Sequence, residues 1–487
     1  MLPSAQGLTH HIGKGGPKMA AMRKGRGRRA PLKAKVDDTI FDGLQRINMH
    51  AAGIDIGSEE HYAAVGNDRG ETIVRTFGCF TPDLLSMAEW FKECGIRTVV
   101  MESTGVYWVP AYRILLDHGF EVNLVDARHA KNVPGRKTDV WDCRWLRKLH
   151  MYGLLHACFI PPKHIGVLRT YWRQRSAIVE ACSQQIHLMQ KALEQMNVQL
   201  HKVLSDITGV TGMKIIRAIV HGEQDPVVLA RMKHPLVKSS EETIAKALSG
   251  DYRPEHLFTL KQALATYDFY QQQLIECDQQ IQRCMAQFED KADTHTRPPS
   301  TKEARPQYRR KNQPHFDLRS ELIRISGVDL TKIDGIDTIT AQTIISECGP
   351  DLSAFPTDGH FASWLGLCPN NRITGGRVRS RRTRRVQNRI AQALRVAAQS
   401  LHHSKSALGA FFRRMRTRLG APKAITATAH KLARLVYLML QYGEAYVDKG
   451  QEYYEQQYRE RTLKALIRQA KQMGIALVHE QTGAIVS

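Results

Sequence analysis

Between His50 and Leu154 short apolar runs alternate with amphipathic segments, and no other feature narrows so far what this chain can fold into. His50–Gly57, His61–Val65, Thr72–Phe77, Thr98–Glu102 and Glu121–Val125 are brief, apolar and rich in β-branched residues, the pattern of strands. Leu84–Cys94, Val106–His118 and Thr138–Leu154 place apolar residues at threes and fours, the spacing of helices that bury one face. Strands interleaved with helices predict a mixed sheet flanked by helices, an α/β domain over 49–160 that closes near Pro161 and Pro162.

Beyond Pro162 the period becomes purely helical. Leu168, Tyr171, Trp172, Ile178, Val179, Ile186, Met189, Leu193 and Met196 recur at helical spacing, as do Leu257, Leu260, Leu264, Tyr267, Tyr270, Leu274 and Ile281 further on. The two stretches predict an antiparallel hairpin or coiled coil over 161–290, with a helical lobe inserted at about 205–251. A polar, Pro-containing linker over 291–316 leads to a mainly helical domain over 317–447 and a helical tail over 448–487. Leu330–Ile345 has the helix, Gly hairpin, helix pattern whose backbone amides often hold DNA phosphates.

Composition sets the partners. Lys and Arg number 70 against 47 Asp and Glu, a formal charge of +23 that suits a polyanion, since each neutralised phosphate releases condensed counterions. The charge is concentrated in a Gly-, Lys- and Arg-rich arm over 1–48 and in the Gly-bracketed cluster Arg372, Arg377, Arg379, Arg381, Arg382, Arg384 and Arg385. Such a cluster is either a solvated loop or a phosphate-binding one. No apolar run is long enough for a membrane span, and the first 35 residues lack the apolar block of a secretory signal. Nine scattered cysteines without a Cys-x-x-Cys pair fit neither a disulfide framework nor a zinc finger, so a cytoplasmic, nucleoid-associated location is expected.

In so basic a chain, carboxylates among apolar neighbours are conspicuous. Asp55 sits between Ile54 and Ile56 on a strand, so it faces away from both. Glu102 ends a strand, where α/β sites usually form. Asp139 and Asp142 lie three apart at a helix start and share a side. Four carboxylates on one spot need a cation between them, and Mg2+ accepts oxygen ligands while leaving places for phosphate oxygens. Singly each has a plainer reading: a turn partner for Asp55, a helix-start neighbour for Glu102, and helix-start carboxylates favoured by capping and the helix dipole for Asp139 and Asp142.

The ordered motifs Ile54-Asp-Ile-Gly57, Glu102-Ser-Thr-Gly105 and Lys137-Thr-Asp-x-x-Asp142 resemble those of the DEDD transposases of the insertion sequence 110 family. The Gly hairpin, Phe361-x-Ser-x-x-Gly-Leu-x-Pro369 and the Gly-Arg segment after it resemble that family's second domain. The resemblance covers 50–155 and about 325–440, and the helical middle fits its coiled-coil connector. It implies an RNase H-like, RuvC-like domain holding Mg2+ through Asp55, Glu102, Asp139 and Asp142, and a C-terminal transposase domain whose serine attacks a DNA phosphate. It also implies a structured bridge RNA that pairs with donor and target DNA. A homo-tetramer built through dimers follows too, each active site drawn from the RuvC-like domain of one protomer and the C-terminal domain of another.

At the place of the family's nucleophilic serine, which stands before Gly shortly after Gly-Leu-x-Pro, this sequence has Thr374. Threonine has the same hydroxyl, with a methyl that restricts χ1. Ser380 is the alternative nucleophile, and a catalytically weakened relative stays open. The arginines from Arg372 to Arg385 would position the scissile phosphate. Trp364 reads as core, and His402, His403 and His430 as surface or packing residues. The readings to be separated are thus a Mg2+-dependent transposase or recombinase, a RuvC-like nuclease or junction resolvase that uses water, and a nucleic-acid-binding protein without chemistry.

Overall fold

The computed structural model describes residues 41, 43–66, 71–126, 139–292, 312–384, 386–443, 450–478 and 485–486. The basic arm, most of the linker, and Lys137 and Thr138 of the third acidic motif lie outside them. The chain divides into two units, Met1–Cys158 and Phe159–Ser487.

In the first unit β1 (Ala51–Ile56), β2 (Glu60–Gly66), β3 (Thr72–Gly78), β4 (Thr98–Glu102) and β5 (Glu121–Val125) form one sheet in the order β3-β2-β1-β4-β5. β3, β2 and β1 run antiparallel as a meander, and β1, β4 and β5 run parallel. The parallel connections pass through α1 (Thr81–Glu93) and α2 (Trp108–Asp117), and α3 (Asp139–Met151) follows the sheet. The strands and the helices between them agree with the sequence reading to within a few residues, because each strand is apolar on a short, Gly- or turn-bounded run.

Register fixes which side chains share a face. Ile56, His61 and Phe77 are cross-strand neighbours, and Phe77 meets Trp90 of α1 with ring centroids 5.5 Å apart, so α1 covers that face. Gly53 and Val100 are partners on the other face, where Val100 packs with Leu146 of α3. The approach there is close. A Cβ on Gly53 would stand 2.4 Å from the backbone nitrogen of Arg147 and 2.5 Å from the carbonyl of Cys143, so only glycine lets α3 lie on β1. Arg147 then spans the sheet, donating from Nε to the Ala51 carbonyl at 3.0 Å and from Nη1 to Thr72 Oγ1 at 3.1 Å.

In the second unit α4 (Lys163–Gln195) and α9 (Pro254–Met285) run along each other. Leu168 and Trp172 share a core with Ile281, Cys284 and Met285; Ile178 and Cys182 share one with Leu274; Met189 and Ala192 share one with Leu260 and Leu264. Rising positions on α4 meet falling positions on α9, which makes the pair antiparallel. The far end carries α5 (Leu200–Val203), α6 (Val210–Val220), α7 (Pro226–Ala230) and α8 (Glu241–Leu248) around its own core.

The near end joins the core built from α10 (Leu318–Ser326), α11 (Thr338–Cys348), α12 (Asp358–Trp364), α13 (Arg389–Ser400), α14 (Ala407–Leu419) and α15 (Ala421–Tyr442). Trp364 belongs to the aromatic group of that core, with Phe159, Phe355 and Phe361. The long α16 (Gly450–Gln472) packs on α14, and Leu477–Val478 pairs with Ile485–Val486, a small ladder inside what reads from sequence as a helical tail.

Polar clamps tie α4 down. Glu347 of α11 receives both Nε and an NH2 of Arg173 at 2.8 and 2.7 Å, and Arg169 Nε approaches it at 3.2 Å. Inside the helix pair, Arg175 and Asp278 are 3% and 1% exposed and form an ion pair. Asp278 also receives the backbone N–H of His315 at 2.9 Å and lies 2.7 Å from its Nδ1, so the end of the linker is anchored on α9.

Burial of these polar groups has two measurable consequences. Asp278→Asn leaves the Arg175 guanidinium buried without a counter-charge and should cost the second unit about 3–5 kcal/mol, read from urea melts. His61 and His150 are buried, and burial pushes both imidazoles below 6.5, with Glu121 opposing weakly at His150. The unfolded chain therefore takes up protons that the folded unit refuses. Stability should be full above about pH 6.5 and fall as pH drops below it, by up to about 1.4 kcal/mol per pH unit per histidine until the folded values are reached. Melts of His150→Asn protein should show a shallower acid loss.

Candidate functional site

The first unit gathers carboxylates at one end of one sheet face. Asp55 is two residues beyond Gly53 on β1, and Glu102 two beyond Val100 on β4, so both project on the α3 side. Ile54 pairs with Met101, which makes Asp55 and Glu102 the next neighbours across the parallel strands at their carboxyl ends. Glu102 is only 5% exposed, and Asp55 is half-buried. Ile54 and Ile56 point into the opposite, buried face.

α3 lies with its Cys143–Arg147 turn over Gly53 and Arg147 over Ala51, so its first turn reaches toward the end of β1 where Asp55 stands. That turn carries Asp139, exposed, and Asp142, half-buried with Oδ1 shielded from solvent. Both sit at the positive end of the helix dipole. Cys143, one turn in, is pushed up to about 12 chiefly by burial, with the charge of Asp55 contributing. Its thiol is inert.

Tyr62 reports on the same cluster. It is the cross-strand partner of Asp55 and donates its hydroxyl to Glu60 Oε2 at 3.1 Å. The hydrogen bond to Glu60 raises the phenol most, followed by the Glu60 charge, burial, and the charges of Asp139 and Asp55. Glu60 and Tyr62 are therefore members of the acidic group that the sequence reading leaves out. Their signal is the period of two: Asp55 pairs with Tyr62, and Glu60 shares its face.

The side chains of Asp55, Glu102, Asp139 and Asp142 offer hard carboxylate oxygens, the ligand type that divalent cations such as Mg2+ take. Among the described residues no group of three or more His, Cys, Asp and Glu side chains stands close enough to hold one ion, and residues 127–138, which lead into α3, lie outside the description. What register brings together is the pair Asp55 and Glu102, with α3 supplying Asp139 and Asp142 at the same end.

In the second unit the arginine segment is a β-ribbon. β6 (Arg372–Thr374) and β7 (Arg377–Ser380) pair antiparallel across Gly375 and Gly376, whose φ values of 54° and 72° are the left-handed pair that a two-residue hairpin turn needs. The Gly-Gly step between residues with β preference is the sequence signal for it, which the reading as a loop passes over. Thr374 stands exposed at the tip opposite Arg377, and Ser380 lies at the base opposite Arg372, beyond an irregularity in register.

Arg377, Arg379, Arg381 and Arg382 are exposed; Arg384, also exposed, donates to the carbonyl and hydroxyl of Ser363 at 2.9 and 3.2 Å and so holds the ribbon's base. Arg385 lies outside the described residues. The Gly335 hairpin faces inward. A Cβ there would meet the Ala397 carbonyl and Leu401 at 3.0 Å, and Asp334 accepts from Ser404 and Ser406. His402 and His403 are ring neighbours on the surface, and His430 is half-buried.

Two family models match the chain in order, one described as Transposase, of the DEDD type, over residues 52–198, and one described as Transposase IS116/IS110/IS902 family over residues 329–413. A protein of Sinorhizobium fredii (strain NBRC 101917 / NGR234), named "Putative transposase y4pF/y4sB", is 32% identical over 127 residues, which are 24% of this chain and 32% of that one. The chain thus spans about a third of that relative's length. The first match spans the sheet unit and α4, and the second spans α11 to α13 with the β6–β7 ribbon. Over both matched segments the chain is thus similar to transposases of the IS110 family. No described helix is long and apolar enough to cross a membrane.

Removing the charge of Glu60 should release the Tyr62 phenol. In Glu60→Gln protein its pKa should fall back toward 10.0, followed as the tyrosinate absorbance that Tyr62→Phe abolishes.

Proposed function

We propose that the protein is a DNA transposase that breaks and rejoins phosphodiesters, with a carboxylate centre in its first unit and a hydroxyl nucleophile on the β6–β7 ribbon. The observation that carries the reading is the register that sets Asp55 beside Glu102 on the face covered by α3. Asp55, Glu102, Asp139 and Asp142 are the residues that would hold magnesium, which when bound polarises phosphate oxygens and stabilises the leaving oxygen.

Thr374 supplies the nucleophile. Its Oγ forms a bond to phosphorus, the bond to one deoxyribose oxygen breaks, and that oxygen leaves as a hydroxyl with the proton given up by Thr374. Arg377, Arg379, Arg381 and Arg382 hold the non-bridging oxygens as charge builds on them, and Arg384 keeps the ribbon's base in place. The partners in this reading are DNA of the element ends and target, a structured bridge RNA, and further copies of the chain in a tetramer. The net charge of +23 and the exposed arginines support the nucleic-acid partners.

The test uses the full chain with RNA transcribed from the DNA flanking its gene, an element-end duplex and magnesium. Asp55→Asn should lose strand cleavage by about a thousandfold with DNA binding kept. Thr374→Ala should lose the covalent protein–DNA adduct seen by mass spectrometry. Thr374→Ser should keep the adduct and form it about tenfold faster, the β-methyl being gone. Full cleavage by Thr374→Ala without an adduct would hand the chemistry to water, the nuclease reading.

A further inference from the structure

The β6–β7 ribbon presents two faces to solvent. Thr374 and Arg377 are partners on one, while on the other Ile373 and Val378 are partners and stand 61% and 41% exposed. Paired β-branched apolar side chains in water are unfavourable unless something covers them. What covers them is constrained by charge: from Asn370 to Gln387 the chain has no acidic residue, and the same short segment carries the exposed Arg377, Arg379, Arg381 and Arg382. A second copy of the ribbon is repelled, and a polyanion is drawn in. A two-stranded ribbon also has the width of a DNA groove, and apolar side chains carried into a groove lodge against sugars and between base steps, unstacking them.

We propose that Ile373 and Val378 form an apolar wedge that enters duplex DNA beside the phosphate met by Thr374, opening the base step there while the arginines hold the backbone. The inference rests on the ribbon being the nucleophile-bearing element, and adds to it the deformation of the step that is cut. Thr374 at the tip and the wedge at the next position, on opposite faces, act on adjacent parts of one nucleotide step.

The experiment uses the full chain and a fluorescein-labelled element-end duplex carrying 2-aminopurine at the cleaved step, with affinity measured across a salt series. Ile373→Thr/Val378→Thr keeps the β-branched backbone preference, so the ribbon is retained. It should bind about tenfold more weakly at every salt concentration with an unchanged salt slope, and the rise in 2-aminopurine fluorescence given by the wild type should vanish. Arg377→Gln/Arg379→Gln should instead flatten the slope by about two phosphate contacts. An apolar double variant that binds and unstacks like the wild type overturns the wedge. So does one that changes only the sedimentation of the free protein, since the pair then serves self-association. Thr374→Ala separates the two readings: its adduct reports the nucleophile, and its fluorescence rise, expected to persist, reports the wedge alone.

Discussion

The contact on which the first unit depends is the one between α3 and β1 at Gly53. Two backbones come together there with no room for a methyl group, and Arg147 ties the helix to Ala51 and across to Thr72. Because α3 is seated so closely, its first turn is directed toward the end of β1, on the side of the sheet where Asp55 stands. The sheet contributes the rest through parallel register, which puts Asp55 and Glu102 on neighbouring strands and on one face. Carboxylates repel, so their gathering is an arrangement imposed by the scaffold. The buried Ile54 and Ile56 on the other side make that imposition possible, since a slip of one position would turn Asp55 into the core and the isoleucines out of it.

Much of this unit is legible in the sequence because its strands are short, apolar and separated by turn residues, so the period of two is uninterrupted. Asp55 and Glu102 stand out as charges where that period leads one to expect apolar or terminal positions. Glu60 and Tyr62 do not stand out, because a Glu and a Tyr at the start of a strand are ordinary; only the pairing of Tyr62 with Asp55 gives them meaning, and pairing is a property of the folded sheet. The antiparallel sense of α4 and α9 is legible for a similar reason, long periodic runs joined by a lobe. The Arg175–Asp278 pair inside them is not, since a buried ion pair looks in sequence like two solvated surface charges.

The Gly335 hairpin shows where a motif misleads. Its pattern suggests amides aimed at a phosphate, yet Gly335 is needed to pass beneath α13, and the neighbouring carboxylate of Asp334 is satisfied by two serine hydroxyls. A glycine between helices has two physical uses, exposing backbone to a ligand or admitting a neighbouring element, and only the packing distinguishes them. The same test applied to Gly375 and Gly376 gives the opposite answer. Nothing lies within 4 Å of a Cβ built on either, so their need is conformational, a left-handed pair that closes a ribbon in solvent.

That ribbon also gives a physical reason for threonine at position 374. A serine just before a Gly-Gly turn is free in both backbone and χ1, and a two-stranded ribbon in water is marginal by itself. A β-branched residue favours the extended backbone that β6 needs and narrows the directions of its hydroxyl. Ile373 beside it and Val378 opposite are β-branched as well, so the tip is built from residues that stiffen it. Under the proposed reading, the methyl that crowds an in-line attack is also what holds the ribbon straight and its hydroxyl aimed. Rigidity at the tip and reach of the nucleophile are then set against each other in one side chain, and the wedge on the reverse face lowers the demand on reach by bringing an opened base step to the hydroxyl.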